Sequence, residues 1–133
     1  MPEQPPGPNF YQGRNGQADD GSAEPLSKSD ILALVEQWAA RLAVTVKRVQ
    51  LRRMRRKWGS ISTAGTLTLA DDLLRLPAPL VEYVICHELL HLRVPQHNRL
   101  YYLLLEQHIP DWRQRERGLA RWVLGMIRMK KQG

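Results

Sequence analysis

The sequence has 133 residues, is 43% hydrophobic and carries a formal net charge of +7. This length and hydrophobic content suffice for one domain with a core, and the chain is too short for two. It lacks the pattern of a secretory signal peptide, no apolar run reaches the ~18 residues of a membrane span, and a single cysteine, Cys86, excludes an internal disulfide. We expect a soluble, cytoplasmic protein that does not bind membranes, and a monomer.

The first 25 residues differ in composition from the rest of the chain. They contain five of the nine prolines and four of the nine glycines, with hardly any aliphatic residues. Such a segment cannot bury enough apolar surface to offset the entropy of ordering. We therefore expect residues 1–25 to be a disordered tail and residues 26–133 to form one domain.

A helix and a small sheet are predicted next. Ser27 and Asp30 are spaced as a capping box, and apolar residues follow at helical spacing, which predicts a helix over about residues 28–43. β-Branched residues with stretches of alternation then predict about three short strands, near residues 45–54, 58–63 and 66–70. The segment TAG between the last two is a hairpin turn signal, so we expect an antiparallel sheet.

Three further helices follow the sheet. The first, about Pro79–Leu92, is apolar nearly all round, so it is expected in the middle of the domain. Pro95 ends it, a second helix runs from about His97 to the break at Pro110, and the last spans about Asp111–Lys130. Helix, sheet and three helices in this order predict an α+β fold.

The central helix carries the segment HELLHLRVPQH. His87 and His91 are four residues apart, so their rings project from one face of the helix and can hold one metal ion. Glu88 points about 100° around the axis, towards a water at an open metal position. The break at Pro95 allows His97 to supply a third ligand. Cys86 projects from another side and is interpreted as a core thiol.

The segment from Met54 to Trp112 resembles the YgjP-like metallopeptidase family, which comprises zinc-dependent hydrolases of the zincin type. The resemblance rests on KWGS, YVICHELLHL, the nearby third histidine and PDW. Lys57 stands where the family has arginine, Ile61 where it has cysteine, and the pair 101–102 is Tyr-Tyr where it has Phe-Trp. SprT-type proteases, which act on proteins bound to DNA, are similar around the same helix.

The resemblance implies a zincin-like fold with one zinc ion per chain. It implies His87, His91 and His97 as the zinc ligands and Glu88 as the general base. The metal site is intact in this sequence, whereas the departures fall where they would alter a substrate cleft.

Other residues allow two interpretations each. Trp58, Gly59 and Ser60 precede the hairpin and could form a rim strand that pairs with a peptide, or they simply pack in the sheet. Tyr101 and Tyr102 follow His97 by one turn, where a phenol could stabilise an oxyanion; core packing is the alternative for at least one of them.

Acidic side chains could orient a ligand histidine, and the sequence does not choose among Glu82, Asp71 and Glu106. The fourth histidine, His108, is expected to have a surface or capping role.

Seven bases and no acid occur in the segment KRVQLRRMRRK, residues 47–57. Such a run is typical of a site for nucleic acid or a nucleotide, with Arg52, Arg53, Arg55 and Arg56 as candidate anion-binding residues. The alternative is a solvated face that keeps the protein soluble.

Three functions remain open from the sequence. A metal-assisted hydrolase acting on peptides or proteins is favoured by the motif. A nucleotide pyrophosphatase of the UTP type, an activity attributed within the YgjP-like family, would use the same zinc site. A zinc-stabilised module that binds nucleic acid without catalysis is the third.

Overall fold

A computed structural model of the chain describes residues 25–132, and the side chains of residues 25–125. The elements in chain order are α1 (Lys28–Leu42), β1 (Arg48–Arg52), β2 (Gly59–Ile61), β3 (Thr66–Ala70), a 3-10 helix (Asp71–Arg75), α2 (Ala78–Leu90), α3 (Arg99–His108) and α4 (Trp112–Gln132).

Helix α1 begins at the predicted capping box. The Asp30 amide donates to the Ser27 hydroxyl at 3.1 Å, and the Ser27 amide donates to the Asp30 carboxylate at 2.9 Å. The helix ends where Ala43 takes a left-handed conformation with φ 57°. Its apolar face is buried, it contacts α2, and the indole of Trp38 donates to Glu82 of α2 at 2.7 Å.

The sheet is mixed, which corrects the antiparallel arrangement that we predicted. The strand order is β1-β3-β2: β2 and β3 form the expected antiparallel hairpin, but β1 pairs with the other edge of β3 and runs parallel to it. The physical reason is the long link between β1 and β2. Residues 53–58 carry the chain across the end of β3, so β1 reaches the free edge of β3 rather than that of β2.

Helix α2 lies at the centre of the domain, as its apolar composition predicted. It contacts α1, α3, α4 and β2, and its residues from Leu80 to Cys86 are all buried. Proline at its first turn suits a position where an amide donor is not needed. After its first two residues, α2 is half-exposed only at His87 and Glu88, so the polar side chains of α2 that solvent can reach lie at that end.

The α+β class is confirmed. The helix bounds differ from the predicted ones by no more than about two residues, and α3 begins at Arg99 rather than at about His97. The predicted tail lies, apart from residue 25, outside the described residues. Among the described helices none combines the length and the apolarity needed to cross a bilayer. The cytoplasmic location and the monomeric state stay predictions.

Candidate metal centre

The three histidines come from the end of α2 and the segment that follows it. His87 lies in the last turn of α2, and His91 is the residue after the helix. The chain then reverses through Pro95, and α3 begins after Asn98, whose side chain accepts the Tyr101 amide at 3.0 Å. His97 immediately precedes this cap, so the start of α3 fixes its place beside the other two rings.

The structure brings one ligand atom from each of the three histidines within 4.8 Å of the others. The ring centroids lie 5.4 Å apart for His87 and His91, 5.1 Å for His87 and His97, and 4.6 Å for His91 and His97. The pKa of His97 is lowered, first by desolvation and then by the two neighbouring histidines. A lowered pKa favours the neutral imidazole, the form that binds metal ions.

A backbone carbonyl orients His91. Its Nδ1 lies 3.2 Å from the carbonyl oxygen of Val94, and because a carbonyl only accepts, Nδ1 carries the proton and Nε2 is left for a metal. None of the acidic candidates does this. Glu82 is buried and accepts the Trp38 indole N–H at 2.7 Å, and burial raises its pKa. Glu106 lies 3.8 Å from Arg113.

Asp71 has an exposed side chain in the 3-10 helix after β3, and within the described part of the chain it forms no hydrogen bond or ion pair with the histidines. The hydrogen-bond partner of His91 is therefore a backbone carbonyl of the turn itself. The side chains of the sequence do not reveal such a partner.

The Tyr101 ring packs against all three histidines. It stacks on His91 with centroids 4.8 Å apart and contacts His97 edge-on at 4.8 Å and His87 at 5.6 Å. The side chain is fully buried, and burial strongly raises its pKa. Its hydroxyl donates to the carbonyl of His87 at 2.8 Å, so the structure places Tyr101 in the core rather than facing a substrate.

That hydroxyl completes the hydrogen bonding at the end of α2. The last four carbonyls of a helix have no partner in the regular ladder. Those of Glu88, Leu89 and Leu90 accept amides of residues 91–94 at 2.9–3.1 Å. The carbonyl of His87 takes the Tyr101 hydroxyl instead. A tyrosine fourteen residues away thus caps the helix at a candidate metal ligand.

Glu88 lies beside the histidines and against β2. Its side chain is 14% exposed, and its Oε2 lies 3.3 Å from Nδ1 of His87. A Cβ atom at Gly59 would lie only 3.2 Å from Cγ of Glu88 and 3.2 Å from the carbonyl oxygen of Thr68. The absence of a side chain at Gly59 is what lets β2 approach Glu88 so closely.

Two cavities meet at Glu88. The polar groove, with a volume of about 670 Å³, runs between β2 and the histidines and is lined by Ser60, His91 and His97 among others. The apolar pocket lies on the other side of Glu88. Its lining includes Trp58, Tyr83, His87, Leu119 and Val123.

The predicted cleft residues divide between these cavities. Trp58 lines the apolar pocket, Ser60 lines the polar groove and Gly59 lines both. Tyr102, 38% exposed, lies 6.1 Å from His97 between ring centroids and lines neither cavity. Sequence reasoning missed the contribution of α4 to the apolar pocket, for which the apolar periodicity of that helix was the only signal.

The remaining candidates lie away from the site. His108 is half-buried at the end of α3, where its ring meets Trp38 edge-on at 6.2 Å. Cys86 is a buried free thiol, and burial raises its pKa to about 12. The predicted anion-binding residues Arg52, Arg53, Arg55 and Arg56 are all exposed and line neither cavity.

The donor set suits a zinc ion. Three imidazoles form a compact cluster, His91 has its second nitrogen fixed by a hydrogen bond, and imidazole is a preferred ligand of zinc. With three protein ligands, a bound zinc ion would keep a position for water, and Glu88 lines the same groove as His91 and His97.

Comparison with known proteins agrees with this geometry. The model of the YgjP-like metallopeptidase domain matches residues 23–122. A search of the curated proteins finds no significant match. Among solved structures, the chain is similar to the metallopeptidase zymogen of Pyrococcus abyssi abylysin, with 24% identity, 77% of this chain and 95% of that chain covered, and a TM-score of 0.56.

It is also similar to the metallopeptidase zymogen of Methanocaldococcus jannaschii jannalysin. The identity is 20%, the match covers 71% of this chain and 97% of that chain, and the TM-score is 0.62. At these identities the two structures show the fold. The family match spans most of the sequence and includes all three histidines, so the chain belongs to the YgjP-like metallopeptidase family.

Proposed function

We propose that the protein is a zinc-dependent metallopeptidase in which Glu88 is the general base. The observation that carries the proposal is the placement of the Glu88 carboxylate where the polar groove meets the three-histidine cluster. A structural zinc site has no need of a carboxylate that is adjacent to a ligand in sequence and is not itself a ligand, whereas a hydrolase needs one near the attacking water.

His87, His91 and His97 would hold the zinc ion. When bound, zinc supplies Lewis-acid polarisation of the scissile carbonyl and lowers the pKa of water to about 7. The Glu88 carboxylate accepts a proton from the attacking water and passes it to the leaving amine. The Val94 carbonyl and the Tyr101 hydroxyl keep the ligand histidines in place during this cycle.

The free edge of β2 supports a peptide substrate. Among the described strands β2 pairs with β3 alone, so its other edge is free there, and residues 59–63 line the polar groove. An extended peptide can add to such an edge as a further strand, which would lay its backbone across the groove beside Glu88. The 670 Å³ volume is within the usual range for ligand clefts.

A nucleotide substrate has less support. The groove lining contains one basic residue, Lys57, whereas a triphosphate is usually held by several cationic or amide groups. The four arginines that were candidates for nucleotide binding lie outside both cavities. Nucleotide hydrolysis is therefore kept as an outcome of the test.

The test compares Glu88→Gln with the wild type. Glutamine keeps the shape of the side chain but cannot accept a proton, so peptide turnover should fall by about 10² or more while zinc content by elemental analysis is unchanged. His97→Ala is the matched control, since it should lose zinc and activity together. Casein and a nucleoside triphosphate serve as the two substrates.

Equal casein hydrolysis by the wild type and Glu88→Gln would refute the role of Glu88. Consumption of the triphosphate alone would replace the peptidase by a pyrophosphatase. Full zinc retention in His97→Ala would remove His97 from the site.

A further inference from the structure

We infer that the outer face of the sheet and the loop after β1 form a binding surface for the phosphate backbone of nucleic acid. The surface consists of seven basic residues, here called the basic surface, and all of them are exposed: Lys47, Arg48, Arg52, Arg53, Arg55, Arg56 and Lys57. The inference is independent of the proposed peptidase activity, because only Lys57 also lines the cavities at Glu88.

Strand β1 separates the charged residues from the core. Val49 and Leu51 pack against the hydrophobic core, so the alternation of a strand turns Arg48, Gln50 and Arg52 to the opposite, outer face. Arg48 and Arg52 are exposed, as this arrangement requires. The two arginines are therefore carried on one strand, with their Cα atoms about 13 Å apart at about 3.3 Å per residue.

The rest of the outer face offers neutral hydrogen-bonding groups. Thr66 and Thr68 of β3 are the register partners of Arg48 and Gln50. The Gln50 amide donates to the Thr68 hydroxyl at 2.9 Å. Hydroxyl and amide groups between cations are the usual partners of phosphate and sugar oxygens in nucleic-acid complexes.

No acidic group neutralises this surface within the described part of the chain. None of the ion pairs found there involves any of the seven cations, and the sequence has no acid between Glu36 and Asp71. Asp72, just after β3, pairs with Arg75 at 4.0 Å. Seven mutually repelling cations are stabilised by a bound polyanion.

The arrangement favours an extended phosphate chain over other anions. A small anion needs cations that converge in a concave site, whereas these are exposed side chains along one strand and its flanking segments, and of them only Lys57 lines either cavity. Five of the seven are arginine, whose planar fork matches phosphate. Residues 47–57 include no aromatic side chain for base stacking, so contact is made to the backbone without sequence preference.

The experiment measures binding of the full chain to a fluorescein-labelled 20-base-pair DNA duplex at several salt concentrations. In the test variant Arg52, Arg53, Arg55 and Arg56 are all replaced by glutamine. The control variant replaces four exposed or half-exposed arginines elsewhere, Arg75, Arg113, Arg117 and Arg121, and changes the net charge equally. Lys57 is kept in both because it lines the groove. Circular dichroism and zinc content confirm that both variants are folded.

The wild type should bind the duplex with an affinity that falls steeply with salt, by a logarithmic slope of about 0.9 for each phosphate contacted. The test variant should lose at least tenfold in affinity at low salt and lower that slope by about three to four. The control should stay within about threefold of the wild type.

Equal losses of affinity in the two variants would show that only the overall charge of the protein matters and would overturn the inference. Failure of the wild type to bind the duplex would overturn it as well. Competition by poly-glutamate as strong as that by unlabelled duplex would also overturn it, and would point to an acidic protein partner instead. Casein hydrolysis is measured on the same samples, so a failure of this inference is distinct from a failure of the proposed peptidase.

Discussion

Replacing Tyr101 by phenylalanine tests whether the hydroxyl that caps α2 also supports the metal site. The ring would remain stacked on His91 at 4.8 Å, and only the 2.8 Å hydrogen bond to the His87 carbonyl would be lost. Tyr101 is fully buried, so water cannot readily replace the donor and the carbonyl is left without a partner. Such a loss costs about 1–3 kcal/mol of unfolding free energy.

For a domain of about a hundred residues, each kcal/mol corresponds to roughly 4 °C in Tm. We therefore expect Tyr101→Phe to melt about 4–12 °C below the wild type when both are free of zinc. Because the lost bond holds the backbone of a ligand residue, zinc affinity should also fall, by about tenfold. Thermal melting by circular dichroism and zinc competition with a chromophoric chelator measure the two effects.

Tyr102→Phe is the matched control. Tyr102 is 38% exposed, its ring lies against that of Tyr101 at 5.2 Å, and its hydroxyl has no hydrogen-bond partner among the described residues. The same chemical change there should leave Tm and zinc affinity unaltered. The reasoning is refuted if Tyr101→Phe behaves like this control, since the hydroxyl would then contribute neither to the helix end nor to the site.

Three further predictions follow from other contacts. Gly59→Ala places a methyl group 3.2 Å from Cγ of Glu88, so casein hydrolysis should fall at least severalfold while zinc content is retained; unchanged turnover would show that Glu88 moves freely. Burial, and then two nearby arginines, lower the pKa of His108 below its unfolded value of about 6.5. The unfolded state therefore binds more protons below that pH, and stability is lost as pH falls; urea unfolding of zinc-free protein at pH 7.0 and 5.5 should show a smaller loss for His108→Gln than for the wild type. Removing residues 1–23, whose composition cannot build a core, should leave Tm unchanged, and a fall of several degrees would contradict the predicted tail.

The helices and the histidine cluster were predictable because their signals are local. The capping box at Ser27 and the breaks at Pro95 and Pro110 lie within a few residues of the boundaries that they set. The periodicity of a helix puts His87 and His91 on one face without knowledge of the fold. Local rules were sufficient for these features.

The sheet order and the support of the site were not predictable in the same way. Alternation identifies β1 as a strand but carries no information on whether it pairs with β2 or β3, and pairing depends on the path of residues 53–58. The bond from Tyr101 to His87 likewise joins two elements through the reversal around Pro95. Both features depend on contacts that only the folded chain brings together.

The three candidate metal ligands lie within eleven consecutive residues, 87–97, and this has a thermodynamic consequence. A metal ion that bridges distant parts of a chain removes a large loop entropy from the unfolded state, but here the closed loops are short and that gain is small. The ion would also connect the end of α2 to the segment before α3, and these two helices already contact each other. Zinc should therefore bind as an ordinary ligand to a protein that is already folded. The gain in unfolding free energy should depend on the free zinc concentration relative to the Kd. Small zinc domains that unfold without metal behave differently.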